Sequence, residues 1–288
     1  MTAKRVVVLG AYGFIGAACV RAFKLDGYTV TGIGRSREAA IVSDASIDWH
    51  ICDIARAPVS EWQDVLKGAD VVVNASGALQ DGLRDDLKGI HEAAVSNLIE
   101  ALGGSSALLI QISAAGVGDE APTEFFRSKA RGDAAIEQSD LNWIILRPVL
   151  VLGPQAYGGT ALLRACAAFP GFGFSIYPNA TIQTIFVEDL AKAVVLAASG
   201  KLGTRFVADL AEGERSSFQE LVAKTREWLG YKPWKLTLPV PAIALRVVSR
   251  VADGLSWLGW RSPLRTNALV SLKNGIAGNP STWLERGG

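Results

Sequence analysis

The 288-residue sequence predicts an α/β fold, a doubly wound and mostly parallel sheet carrying a smaller C-terminal α/β lobe. Three observations predict it. Short β-branched runs alternate with stretches of helical spacing through the first half. The runs are apolar throughout rather than alternating, as in strands covered on both faces. A glycine-rich turn directly follows the first of them and opens a helix.

Arg5–Leu9 (RVVVL) is a strand that stops at Gly10, and Phe14–Leu25 has helical spacing up to Gly27. Residues 29–33 read as a second strand and 47–52 as a third, closing at Asp53. A fourth, 70–73, closes at Asn74, and 85–102 reads as helix. Residues 107–112 form a fifth strand, 124–138 a helix and 143–146 a sixth strand. After Pro148 the pattern loosens, and 153–180, rich in Gly, Pro and aromatics, reads as loops around a short helix. Residues 181–186 then read as a strand feeding a helix at 188–199, followed by a strand at 204–208 and an amphipathic helix at 216–229. The expected division is a nucleotide-binding domain at 1–152 and a substrate or partner lobe at 153–288, from which about 181–208 returns to the sheet.

Apolar residues make up 49% of the chain, enough for a sizeable core. The net charge of +1 gives no reason to expect nucleic acid as a partner. The charge is uneven, however: residues 201–288 hold 13 Lys and Arg against 7 Asp and Glu, a net of +6, and five of the eight Trp. That basic, Trp-rich segment is a candidate surface for a membrane or a protein partner. The three cysteines, Cys19, Cys52 and Cys166, are scattered, which fits a reducing compartment and no disulfide framework. His50 and His91 stand far apart with no ligand partner at useful spacing, so no metal site is expected. The N-terminus runs straight into a strand, and no run of about 18 uncharged apolar residues occurs. A cytoplasmic location is expected, with the inner face of a membrane as a peripheral alternative.

Gly10-Ala11-Tyr12-Gly13-Phe14-Ile15-Gly16 carries the clearest chemistry. Gly10 permits a tight turn, Gly13 lets backbone approach a diphosphate, and Gly16 lets the helix pack against the strand. The helix N-terminus then offers free N–H groups to the phosphates. This is the dinucleotide loop of a Rossmann-type sheet. The second strand ends in Arg35 and Arg37 with no acid, which suits a ribose 2′-phosphate and so NADP(H), with NAD(H) as the alternative cofactor. Solvated surface arginines would give the same sequence.

Further segments follow in order: Asp53-Ile54, Asn74-Ala75-Ser76-Gly77, Ser113 at the end of the fifth strand, Phe125-Phe126-Arg127-Ser128-Lys129, Leu146-Arg147-Pro148 before Gly153-Pro154, and residues 182–191. Together with the glycine loop they resemble the extended and atypical short-chain dehydrogenase/reductase superfamily, the NAD-dependent epimerase/dehydratase-like group. The resemblance is nearest to the NADPH-binding complex I accessory subunit and to bacterial proteins bearing Phe-Phe-Arg-Ser-Lys, some of which carry a DoxX-like membrane domain. It implies that Asp53 and Ile54 contact adenine, that Ala75, Ser76 and Gly77 form the turn beside the cofactor, and that Pro148, Val149 and Val151 flank the nicotinamide. With Tyr12, Phe14, Ile15, Ser113 and Lys129 these complete the expected cofactor set. It also implies catalytic roles for Ser113 and Lys129. The family's Tyr-x-x-x-Lys reads Phe125 to Lys129 here, so the lysine is present and the acidic hydroxyl is not. Tyr12 and Tyr157 are the other hydroxyls in suggestive segments.

Residues 241–257 have the spacing of an amphipathic helix, which either covers the lobe with its apolar side inward or docks on a membrane or partner, with Trp257, Trp260 and Arg261 at its end. Residues 162–164 and 169–177 are expected to line the groove over the nicotinamide. Two functions of different class follow. One is an NADP(H)-dependent oxidoreductase without the usual tyrosine, acting on an unknown small molecule, with Ser113 polarising a carbonyl and Lys129 orienting the ribose or acting as base. The other is a non-catalytic NADP(H)-binding sensor or assembly protein whose basic tail docks a membrane-associated or respiratory partner.

Overall fold

The computed structural model describes residues 3–78, 86–155, 159–256 and 266–288. The first half runs β1 (Arg5–Leu9), α1 (Phe14–Leu25), β2 (Thr29–Gly34), α2 (Arg37–Ser43), β3 (Asp48–Ile51), α3 (Val59–Leu66), β4 (Val71–Asn74), α4 (Ala94–Ala101), β5 (Leu108–Ile112), α5 (Glu124–Glu137) and β6 (Asn142–Pro148). The second runs β7 (Leu150–Leu152), α6 (Gly159–Ala168), β8 (Gly173–Ser175), β9 (Thr181–Ile182), β10 (Thr184–Phe186), α7 (Val187–Ala198), β11 (Phe206–Leu210), β12 (Ser216–Ser217), α8 (Phe218–Trp228), β13 (Thr237–Pro239), α9 (Ala242–Ser256), α10 (Thr266–Asn274) and α11 (Ser281–Glu285).

Seven parallel strands form the central sheet in the order β11-β6-β5-β4-β1-β2-β3. The direction of winding reverses between β1 and β4, and a parallel sheet places its ligand crevice at the carboxyl ends beside such a reversal. The strands are apolar on both faces because both are covered. Val6, Val8, Phe23, Leu190 and Val194 belong to the core on the α1 and α7 side, and Val7, Leu9, Trp62, Leu98 and Ile136 to the core on the α3, α4 and α5 side. A third core, with Leu163, Phe218, Val222, Leu245 and Leu269, holds the C-terminal lobe together.

Three expectations need correction. Residues 181–186 do not form one strand that joins the sheet. The backbone changes partners at Gln183, so β9 pairs antiparallel with β12 and β10 pairs parallel with β7. What returns to the sheet is β11, alongside β6, while α7 packs on α1. Second, the helix expected at 85–102 contains a π-helical turn at Gly89–Ala93, where one extra residue is accommodated. Gly132 of α5 explains the close fit there, because a Cβ on it would lie 2.2 Å from the His91 carbonyl oxygen. Third, α9 does not turn its apolar side inward: Leu245, Ser249 and Ala252 are buried, while Ile243, Val247, Val248 and Val251 are exposed. Trp257, Trp260 and Arg261 lie outside the described residues, as does Tyr157.

The end of the chain is sewn back across both parts. Ile276 N–H donates to Thr181 O and Gln183 N–H to Ile276 O. Gly278 N–H donates to the Gln183 side chain at 3.0 Å and Asn279 N–H to Asp209 at 2.9 Å. Trp283 of α11 enters the core that α1 and α7 bury.

Candidate active site

The glycine loop makes a cradle that only glycine fits. Gly10 has φ +69°, and a Cβ there would stand 3.0 Å from Ala75 O and from Ser76 Cα. Gly13 N–H donates to Gly10 O at 2.8 Å. A Cβ on Gly16 would lie 2.2 Å from the same oxygen. Helix α1 opens after Gly13 with no side-chain cap, so no capping side chain takes the N–H groups of its first turn. An acceptor with several oxygens, such as a diphosphate, fits that end. Phe14 turns to Gly153, whose Cβ would lie 2.8 Å from the ring, which brings the segment after β6 beside the loop. Ile15 packs half-buried against the same core as Val149 and Val151.

At the ends of β2 and β3 the geometry suits a nucleoside. Arg35, Ser36 and Arg37 are exposed, and Ser36 caps α2 by accepting from Ala39 N–H. Tyr12 is a brace: its hydroxyl accepts the N–H groups of Arg35 at 3.0 Å and Ser36 at 3.2 Å, and its ring fills the space over Gly34. The hydroxyl is therefore engaged at the end of β2. Asp53 accepts from Ala55 N–H at 3.2 Å and holds the following turn, with Ile54 buried beneath.

On the other side of the reversal, Asn74 ties β4 to β5 through Gln111 at 2.8 Å and accepts from Ser76. Ala75 and Ser76 thus press on Gly10, and Gly77 faces Lys129 and His91. A Cβ on Gly77 would lie 3.6 Å from His91 Nε2 and 3.9 Å from Lys129 Nζ. Ala115 N–H donates to Pro148 O and Val149 N–H to Leu210 O, which fixes the wall where Pro148 and Val149 stand.

Lys129 is 5% exposed and donates to Ile112 O at 2.9 Å. Burial pushes its ammonium down to about 8, partly opposed by Asp133. The Phe125 ring stands 5.8 Å from Nζ and meets His91 and Phe126 edge-on. One helical turn on, Asp133 is buried and gathers three donors on one oxygen: Ser113 Oγ at 2.7 Å, Arg147 Nε at 3.1 Å and Arg147 Nη2 at 2.9 Å. Burial raises the Asp133 carboxyl, and Ser113 and Arg147 oppose the rise. Ser113 spends its single proton on Asp133. In this arrangement it does not offer that proton to a carbonyl, contrary to the sequence expectation.

Sequence reasoning missed His91. The π-helical turn aims its ring into the site, where Nδ1 lies 2.9 Å from Ser128 Oγ. Ser128 in turn donates to Phe125 O at 3.2 Å, so the His91 proton belongs on Nδ1, and Nε2 accepts from Ala78 N–H at 3.4 Å. Burial first, and Lys129 second, push this imidazole down to about 2, so it stays neutral. No periodicity marks a π-helical turn, and only the Gly89 and Gly132 pair hints at it. Sequence spacing also missed that His50, Cys52 and Glu61 converge within 4.8 Å, because Glu61 arrives from α3; the His50–Glu61 contact is 2.7 Å.

Beyond Gly153 lies a cavity of about 530 Å³, lined by Leu152, Leu163, Ile182, Phe186, Leu221 and Trp228, with Arg164, Lys224, Glu188 and Glu212 among its polar groups. Of the expected residues 162–164, Leu163 and Arg164 line this cavity and Leu162 does not. The aromatic segment does not line this cavity: Phe169, Phe172 and Phe174 pack on one another at 4.9–5.2 Å. Among the described residues no helix is long and apolar enough to cross a membrane.

A family model described as NAD(P)H-binding matches residues 10–165. The ceramide reductase of Caulobacter vibrioides is 23% identical over 240 residues, which cover 83% of this chain and 74% of that protein. The crystal structure of gox2253 superposes with a TM-score of 0.71 at 18% identity, covering 98% of this chain and 92% of that one. The UDP-glucose 4-epimerase of Thermus thermophilus in complex with NAD gives a TM-score of 0.62 at 18% identity, covering 94% and 99%.

Proposed function

Because the chain belongs to the NAD(P)H-binding family, we propose that it is an NADP(H)-dependent reductase of an apolar carbonyl compound in which Lys129 is the proton donor. The family match and the NAD-bound epimerase fold support a nicotinamide dinucleotide in the crevice. Gly10, Gly13, Gly16 and the uncapped start of α1 hold its diphosphate, and Arg35 and Arg37 supply cations for a 2′-phosphate. When bound, the reduced nicotinamide supplies a hydride to the carbonyl carbon. Lys129 delivers a proton to the carbonyl oxygen as the C=O π pair becomes a lone pair there, and the alcohol leaves. The neutral amine then takes up a proton from solvent.

The buried Lys129 ammonium, held on Ile112 O beside Gly77 and depressed to about 8, carries this reading. A proton donor works best when its pKa lies near the working pH. His91 stands uncharged in the same corner, its Nε2 accepting from Ala78 N–H. The apolar lining of the cavity, and the named activity of the Caulobacter relative, favour a long-chain or ceramide-like carbonyl substrate.

Phe125 favours a second reading, a nucleotide-holding sensor, because its ring occupies the family's hydroxyl position and carries no proton. The test is NADPH consumption with long-chain ketones, run alongside NADPH binding. Lys129→Met should cut turnover by about 10²–10⁴, the scale of general acid catalysis. Ser113→Ala should cut it far less. NADPH binding with no consumption across the panel would assign the sensor instead.

A further inference from the structure

Helix α9 presents an apolar stripe to solvent. Ile243 is 72% exposed, Val247 60% and Val251 57%, each four residues after the last and so on one line of the helix. Val248 extends the stripe on one side at 42%. Arg246 and Arg250, both exposed, lie along the other shoulder. Leu245, Ser249 and Ala252 already fasten the opposite side to the lobe, so the stripe is not needed for its core. Just before α9, Leu236 is 57% exposed and directly follows the segment that carries exposed Lys232 and Lys235.

We propose that this face lies on the surface of an anionic lipid bilayer, with the valine and isoleucine side chains among the acyl chains and the arginines at the headgroups. Charge decides the occupant. The only acid of α9, Asp253, accepts from Thr266 N–H at 3.2 Å and from the Thr266 hydroxyl at 2.5 Å. Asp253 is thus engaged by Thr266, and the exposed cations of α9, Arg246 and Arg250, outnumber it two to one. A second copy pairing stripe to stripe would bring arginines against arginines, whereas phosphate headgroups complement them. The whole segment 201–288, with its net charge of +6, has the same sign. A helix of 15 residues, about 22 Å long, lying in the headgroup plane suits a chain whose described helices are too short to span.

The test is cosedimentation of the purified chain with vesicles, read independently of any turnover. Vesicles of phosphatidylcholine with 30% phosphatidylglycerol should bind at least ten times more protein than phosphatidylcholine alone, and high salt should reduce that binding. Val247→Ser with Val251→Ser, both on exposed positions, should abolish it while circular dichroism and NADPH binding stay unchanged. Arg246→Glu with Arg250→Glu should abolish the preference for the anionic lipid. Equal binding to both vesicles, no binding to either, or binding indifferent to the serine pair would overturn the proposal. A dimer in light scattering that the serine pair dissolves would assign the stripe to a second copy and overturn it equally.

Discussion

Lys129→Met replaces the buried ammonium by an uncharged side chain of similar length and tests the premise on which the proposed chemistry stands. In the folded chain burial lowers the lysine from its ordinary value of 10.5 to about 8. The sign follows directly. Below about pH 8 both folded and unfolded chains hold the proton, and the folded state bears the full cost of a desolvated charge. Between about 8 and 10.5 the folded chain has released the proton while the unfolded chain still holds it, so folding gains stability as pH rises. At about 1.4 kcal/mol per pH unit, the gain over that window is about 3 kcal/mol. Urea unfolding of both proteins from pH 6 to 10.5 isolates it, because the titrations of groups away from Lys129 are common to the two. The stability of the parent minus that of Lys129→Met should be flat up to about pH 7.5 and then climb by about 3 kcal/mol. A difference that stays flat to pH 10.5 would refute the reasoning, since a lysine of ordinary pKa is a poor donor near neutrality.

Gly16→Ala puts a methyl group 2.2 Å from a backbone oxygen that cannot withdraw. It should destabilise the fold by about 1–3 kcal/mol and remove the NADPH-induced rise in melting temperature, both read by thermal shift. Arg147→Met strips two donors from the buried Asp133 carboxylate. Chemical denaturation should show a loss of about 3 kcal/mol, most of it recovered when Asp133→Asn is added. Arg35→Ala should weaken NADPH in a fluorescence titration about tenfold or more, the worth of a charge-assisted bond to phosphate, and leave NADH nearly unchanged. Equal losses for the two cofactors would remove the basis for the 2′-phosphate assignment.

The glycine loop, the strand ends at Asp53, Asn74 and Ser113, and the Phe125 to Lys129 pair were legible because each depends on local spacing that the chain writes in order. The seven sheet strands were legible for the same reason, with β11 beginning and ending two residues later than expected. What the sequence hid is non-local. Gln183 changes the partner of its strand because Ile276 and Gly278 arrive from 95 or so residues away. His91 reaches the site through an inserted residue in a helix, which no 3.6-residue pattern reports. Ser113 was assigned by position at a strand end, but its proton goes to an aspartate 20 residues on. The outward stripe of α9 was visible as amphipathicity, yet periodicity alone cannot say which side a helix turns to its neighbours.

The return of residues 276–288 across the lobe limits how the cavity beyond Gly153 can admit a bulky guest. Thr181, Gln183 and Asp209 are each tied to that closing segment, and Trp283 anchors it under α1 and α7. A clamshell swing of the lobe would have to break all of these at once and pull an indole out of a dry core. The parts of the cavity wall left to yield are the exposed side chains at its rim, such as Phe186 and Trp228, against a frame that keeps its shape.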